Sequence, residues 1–108
     1  MLIVNTTYQV SETCEAEWKE WVCTEYIPEV IATGILLQPR FHRLFIVNEP
    51  GNQSYSLQFQ VKDLDTLEFW FQNHGSKMQK NLSDHFQNKI LGFTTIMEII
   101  EINQPEKP

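Results

Sequence analysis

The last apolar run, Lys89 to Ile102, limits this chain's fold more than any other stretch. Read as a strand, it is apolar on both sides. Leu91, Phe93, Met97 and Ile99 point one way, and Ile90, Ile96, Ile100 and Ile102 the other. A strand of that kind needs cover on both faces. A small sheet with helices on one side only leaves the other face and an open edge to be covered by something else.

The preceding chain supplies a sheet and two helical stretches. Leu2 to Val10 is rich in β-formers and reads as a first strand. Leu36 to Val47 is strand-like, with FHRLFIV as its body. Residues 48–53, NEPGNQ, hold Pro50-Gly51 and read as a hairpin loop. Ser54 to Val61 alternates, with Tyr55, Leu57, Phe59 and Val61 on one side and Ser56, Gln58 and Gln60 on the other.

Between the first two strands, Cys14, Trp18, Trp21 and Val22 fall at helical spacing, behind Ser11 as a candidate N-cap. Ile27, Val30 and Ile31 then point away from that stripe, and Pro28 sits at the shift. Proline lacks a backbone donor and disfavours helix just before it, but it suits the first turn of a new helix. The pattern predicts one helix to about Tyr26, a second from Pro28 to Thr33, and Gly34 as its stop. A further stripe, Leu64, Leu67, Phe71, His74, Met78, Leu82 and His85, predicts a long helix from Asp63 to about Phe86, with Gly75 inside it.

Strand, helix, strand, strand, helix, strand in one small domain predicts an α+β, ferredoxin-like β-α-β-β-α-β fold. Its four-stranded antiparallel sheet would carry both helices on one face. The domain is expected over residues 1–102, with 103–108 as a frayed tail. The doubly apolar last strand then asks for a second copy against the bare sheet face, and so for a homodimer.

Charge narrows the partners. The net charge is −6, with acid concentrated at Glu12, Glu15, Glu17, Glu20, Glu25 and Glu29. A nucleic-acid-binding face carries the opposite sign, and an anionic membrane surface would be repelled too. Neither nucleic acid nor membrane is an expected partner. The strand SYSLQFQV also lacks the basic residues of an RNA-recognition sheet. Cys14 and Cys23 would lie on opposite sides of one helix, which excludes a disulfide between them. MLIVNTT has no basic start, and no apolar run is long enough to span a bilayer. The cytoplasm is the expected compartment.

Several segments together resemble a known family. They are Asn5 to Val10, the W-x-x-W of Trp18 and Trp21, and Y-I-P-x-V-x-A-T-G from Tyr26 to Gly34. NHGSKMQKNLSDHF and the later FTTIMEII complete the likeness, which runs from Leu2 to about Ile100. The family is an uncharacterised bacterial one of dimeric α+β barrel proteins, a domain of unknown function. The resemblance implies a homodimer whose two sheets form a shared barrel with the helices outside. It implies no substrate. Where the family usually has histidine, this chain has Tyr26.

No metal motif is present: His42, His74 and His85 show no ligand spacing. Arg40 and Arg43, the only arginines, have opposite parity on one strand. No phosphate loop or nucleophile elbow occurs, and no cofactor is expected. Two function classes remain. One is a binding or regulatory module that takes a small molecule between sheet and helices. The alternative is a cofactor-free or haem-handling monooxygenase, or an isomerase, because other dimeric α+β barrel families contain such enzymes. Haem-degrading members use an Asn on the first strand with a Trp and a His on the second helix. Asn5, Trp70 and His74 echo that set, at a narrower Trp–His spacing. The candidate pocket comprises Trp70, His74, Met78 and His85 from the second helix and Trp18, Trp21 and Tyr26 from the first. Asn5 or Arg43 would reach in from the strands. Core packing is the commoner role for each of these rings.

Overall fold

The computed structural model describes residues 1–45 and 51–103. The end of the expected second strand (46–47), half of the expected hairpin loop (48–50) and most of the expected tail (104–108) lie outside the described residues. Strand β1 (Leu2–Ser11) leads into helix α1 (Glu15–Trp21), a π-turn (Val22–Tyr26) and helix α2 (Ile27–Ala32). Strands β2 (Leu37–Leu44) and β3 (Asn52–Val61) follow. Helix α3 (Leu64–Trp70), a second π-turn (Phe71–Gly75) and helix α4 (Ser76–Phe86) then lead through a 3-10 turn (Gln87–Lys89) to strand β4 (Ile90–Glu98). The sheet has four strands in the order β2-β3-β1-β4, and every neighbouring pair is antiparallel. This is the ferredoxin-like α+β fold.

Strand parity decides which side each residue serves. Val4, Tyr8 and Val10 of β1 and Tyr55, Leu57, Phe59 and Val61 of β3 pack with Trp18, Val22, Val30, Trp70, Met78 and Phe86 in one core. The helices therefore cover that side. Asn5, Gln58, Arg40 and Thr95 are in register on the bare side. Trp18 is the centre of the core. It is fully buried and meets Tyr8, Phe41 and Tyr55 at centroid distances of 5.1, 5.6 and 5.2 Å. Tyr55 donates to Glu15 Oε2, which ties the start of α1 to β3. Burial and the nearby Glu15 push the Tyr55 phenol up to about 12.

The sheet and its helices make two layers. The extents are 49 × 36 × 20 Å, and the radius of gyration is 15.5 Å. A rounded globule of this length would have about 13 Å. The excess reflects a wide sheet covered on one side only. On the bare side of β4, Leu91 and Phe93 are 64% and 66% exposed, and Met97 is 38% exposed.

The first helical stretch runs straight through the Pro28 region rather than breaking. Pro28 has no N–H, and its ring would crowd the carbonyl one turn earlier. The backbone responds by widening: Ile27 N–H reaches Val22 O, an i→i+5 bond, and Pro28 enters the first turn of α2. Thr24 Oγ1 donates to Glu20 O at 2.8 Å and serves a carbonyl at the start of the widened turn. At the far end Gly34 takes φ +73°, and its N–H bonds Ile31 O at 2.9 Å.

Three expectations need correction. Ser11 does not cap α1; it ends β1, and its carbonyl accepts from Cys14 N–H, so the helix begins at Glu15. Two strands are shorter than predicted: β4 stops at Glu98, and β2 spans Leu37–Leu44, with residues 46–47 of its expected end outside the described residues. The stripe on the second helix also changes phase. A π-turn inserts one residue, so the inward series is Leu67, Trp70, Gly75, Met78, Leu82 and Phe86. A uniform step of about 100° per residue instead selected Phe71, His74 and His85. Phe71 is 49% exposed, and the His85 side chain is 52% exposed.

Candidate ligand cavity

A cavity of about 840 Å³ lies between the helix-covered side of the sheet and α3–α4. Its floor is Val4, Leu57, Phe59 and Ile96, and its roof is Leu67, Trp70 and Leu82. Leu64, Phe71 and Ile96 are exposed lining residues, so the mouth is apolar too, and Phe93 adjoins it from the other side of edge strand β4. The second π-turn makes part of this space. Gly75 is buried under Trp70, and a Cβ at Gly75 would sit 2.4 Å from Trp70 Cζ3. The absent side chain lets the indole fold back over its own turn and line the cavity. Asn73 Nδ2 meanwhile donates to Phe69 O at 2.8 Å, at the same place in this turn as Thr24 in the first. Trp70 Nε1 is buried with no acceptor among the described residues.

Four hydroxyls run along the opposite wall. Thr6 and Tyr8 share one side of β1, and Thr94 stands opposite Thr6 in register. Thr6 Oγ1 and Thr94 Oγ1 are 3.0 Å apart. Tyr8 stands opposite Gly92, and a Cβ there would meet Tyr8 Cδ1 at 3.0 Å. The glycine leaves room for the phenol ring above it. Tyr26, the last residue of the first π-turn, completes the row, stacked on Trp21 at 5.5 Å. Burial raises the Tyr8 phenol far above its ordinary value, and the neighbouring Tyr26 adds to this. Burial also raises Tyr26, partly opposed by the neighbouring Tyr8 hydroxyl. Both phenols therefore stay neutral at any physiological pH. They can donate and accept hydrogen bonds but do not act as bases.

The predicted site residues part company here. Tyr26 and Trp70 line the cavity. Trp21 stands behind Tyr26 and reaches across to α4, where it stacks with His85 at 6.1 Å and meets Phe86 edge-on at 5.6 Å. Trp18 and Met78 are buried in the core. His74 is half-buried but does not line the cavity, and His85 lies 3.8 Å from Glu17, both largely exposed. That pairing contributes little. Arg43 bonds Gln53 Oε1 at 2.7 Å near the exposed end of the β2–β3 pair. Asn5 faces the bare side, where its side chain bonds Ser56 and Thr7. Asn5, Trp70 and His74 are thus not brought together. The reason is parity: Asn5 alternates with Thr6, so only one of them can face the helices.

Thr6, Tyr8 and Thr94 escaped the sequence reading. Their signal was their place on the apolar side of alternating strands, with Tyr8 between Val4 and Val10. Gly92 inside an apolar strand was a second signal, since such a glycine often marks a close approach. Among the described residues, no group of three or more His, Cys, Asp and Glu side chains is placed to hold a metal ion. No helix there is long and apolar enough to cross a membrane.

A ferredoxin-like sheet with a cavity beneath its helices defines the structural class. Within it, residues 1–100 match the model of the domain of unknown function DUF4286, and the chain belongs to that family. No curated protein sequence matches significantly. Solved structures share the fold at low identity. HapK from Hahella chejuensis is 11% identical with a TM-score of 0.71, over 99% of this chain and 100% of that one. A candidate antibiotic biosynthesis monooxygenase from Deinococcus radiodurans is 14% identical with a TM-score of 0.65, over 99% and 100%. A dimeric ferredoxin-like protein from an uncultured marine organism is 12% identical with a TM-score of 0.58, over 94% and 98%.

Proposed function

We propose that this protein is a cytoplasmic homodimer that binds a small molecule in the cavity between its sheet and α3–α4. The observation that carries the reading is the cavity's make-up. It offers about 840 Å³ of mostly apolar and aromatic wall with one row of hydroxyls. Small-molecule sites have that volume and that balance. The dimer follows from the bare side of β4, where Leu91, Phe93 and Met97 stand uncovered, and the dimeric relative of the same fold agrees with it. A second copy on this face would also cover the polar centre around Asn5, Ser56 and Gln58.

Native mass spectrometry of gently purified protein tests both halves. A species of twice 12.8 kDa carrying a releasable small molecule is expected. A bare 12.8 kDa monomer would contradict both parts.

The runner-up is a cofactor-free monooxygenase, favoured by the monooxygenase names among the structural neighbours. Such chemistry begins with proton removal from the substrate, and the two neutral phenols are poorly suited to that step. Oxygen uptake on adding a ligand, without any added cofactor, would favour the enzyme. A haem-handling role has less support, given the dispersal of Asn5, Trp70 and His74.

A further inference from the structure

The geometry points to a neutral, ring-bearing ligand that offers a hydrogen-bond acceptor to the Tyr26 hydroxyl. This inference rests on the binding role proposed above and adds the chemistry of what is bound.

The first argument is charge. Among the described residues, the cavity is lined by no Lys, Arg or His. Its only ionisable acid is Glu68, exposed on the outer part of α3. An anion moving inside would lose its hydration with no counter-charge to replace it. A cation could meet Glu68 at the rim but would find only neutral groups elsewhere: hydroxyls, the Gln79 and Gln87 amides and apolar side chains. A molecule without net charge avoids both losses.

The second argument is shape. Phe59 on the sheet side and Trp70 and Phe71 on the helical side give flat aromatic walls. Ring systems fill such a slot with more contact than a bulky branched group would.

The third argument is the hydroxyl row. Thr6 and Thr94 satisfy each other at 3.0 Å. Tyr26 lines the cavity, its ring held by stacking on Trp21 at 5.5 Å, which fixes where its hydroxyl can present a proton. A phenol at an apolar cavity wall needs a partner for that proton. A carbonyl on the ligand is the fitting acceptor.

Isothermal titration with four probes tests this: 1-tetralone, a neutral ketone; tetralin, the same skeleton without the carbonyl; 1-naphthoate; and 1-naphthylmethylammonium. The ketone should bind about tenfold more tightly than tetralin, the value of one good hydrogen bond. Both ions should bind more weakly than tetralin. Tyr26→Phe keeps the ring and its stacking on Trp21, so it should remove the ketone's advantage and leave tetralin binding unchanged. Unchanged tetralin affinity also shows that the variant is folded. Equal binding of ketone and hydrocarbon to the native protein would overturn the role of Tyr26 while the binding cavity stood. Tightest binding by either ion would overturn the claim of neutrality. No binding by any probe would overturn the binding module, and this inference with it.

Discussion

The two helical crossovers of this protein share one backbone and hold opposite contents. Each runs an α-helix up to a tryptophan, Trp21 or Trp70, and then widens for one five-residue π-turn. Three residues after the tryptophan, a polar side chain serves the carbonyl just before it: Thr24 to Glu20 in the first, Asn73 to Phe69 in the second. The turns then end differently. The first ends in Tyr26, which carries a hydroxyl to the cavity wall. The second ends in Gly75, whose missing side chain makes room for Trp70. Their causes differ as well. The first turn precedes a proline that cannot donate, whereas the second accommodates a ring folded over a glycine. A widened turn at a cavity is thus reached from two unrelated sequences, and only its last residue decides whether it supplies chemistry or space.

The largest expected effect lies with the phenols. Tyr8, Tyr26 and Tyr55 are the only tyrosines, and all three are raised above their ordinary value. A raised phenol favours folding fully below its unfolded pKa, near about 10, and loses that contribution as pH climbs through the folded values. Absorbance at 295 nm should show almost no tyrosinate until the fold gives way, and then a cooperative rise. A gradual titration centred near pH 10 would mean that Tyr26 is not held as described.

Gly75→Val comes next. Its Cβ must displace Trp70, and overpacking of that kind costs about 3 kcal/mol. Urea unfolding should report it, and a change below about 1 kcal/mol would mean that the indole moves aside freely.

The ends of the two crossovers make a sharper pair. The first closes on Gly34 at φ +73° and the second on Gln87 at φ +54°, a conformation that side chains rarely adopt. Gly34→Ala should destabilise by about 1 kcal/mol, although nothing lies within 4 Å of the new Cβ. Gln87→Gly should do the reverse, by about 0.5 kcal/mol, once the entropy of the unfolded glycine is subtracted. Two melting curves decide whether the signs are opposite.

Pro28→Ala is the smallest in energy, under about 0.5 kcal/mol, because the site is exposed. Its reading is structural. With a donor restored, the first turn should narrow to α and rotate Tyr26 off the cavity, seen as loss of proton–proton contacts between Trp21 and Tyr26. If those contacts persist, the proline does not cause the turn.

The same contrast explains what the sequence disclosed. Pro28 and Gly34 announce themselves, because one lacks a donor and the other tolerates positive φ. The change of phase near Pro28 and the stop at Gly34 were legible from them; that the helix would widen into a π-turn and continue instead of breaking was not. Gly75 was visible as an interruption but not as an inserted residue. Periodicity counts a fixed angle per residue, so one extra residue moved the inward positions from Phe71, His74 and His85 to Trp70, Gly75 and Phe86. Strand order and the sheet's two sides were legible by alternation. Which side Asn5 took was not, since β1 carries neither a plainly polar nor a plainly apolar series in its middle: Asn5, Thr6 and Thr7 are all small and polar.

Gly92 has one further consequence. Strand β4 is a wall with two readers: Thr94 and Ile96 face the cavity, while Phe93 and Met97 face the bare side. If β4 slid along β1 by one residue, the two sets would trade places, with Phe93 filling the cavity and Thr94 facing outward. If it slid by two, each set would keep its side, but Thr94 or Ile90 would come to rest beneath Tyr8, where a Cβ has only about 3.0 Å of room. Because β4 is apolar on both sides, the hydrophobic pattern resists the first slip only weakly and cannot detect the second. Gly92 detects it, and so serves as the index mark from which the cavity's last wall is measured.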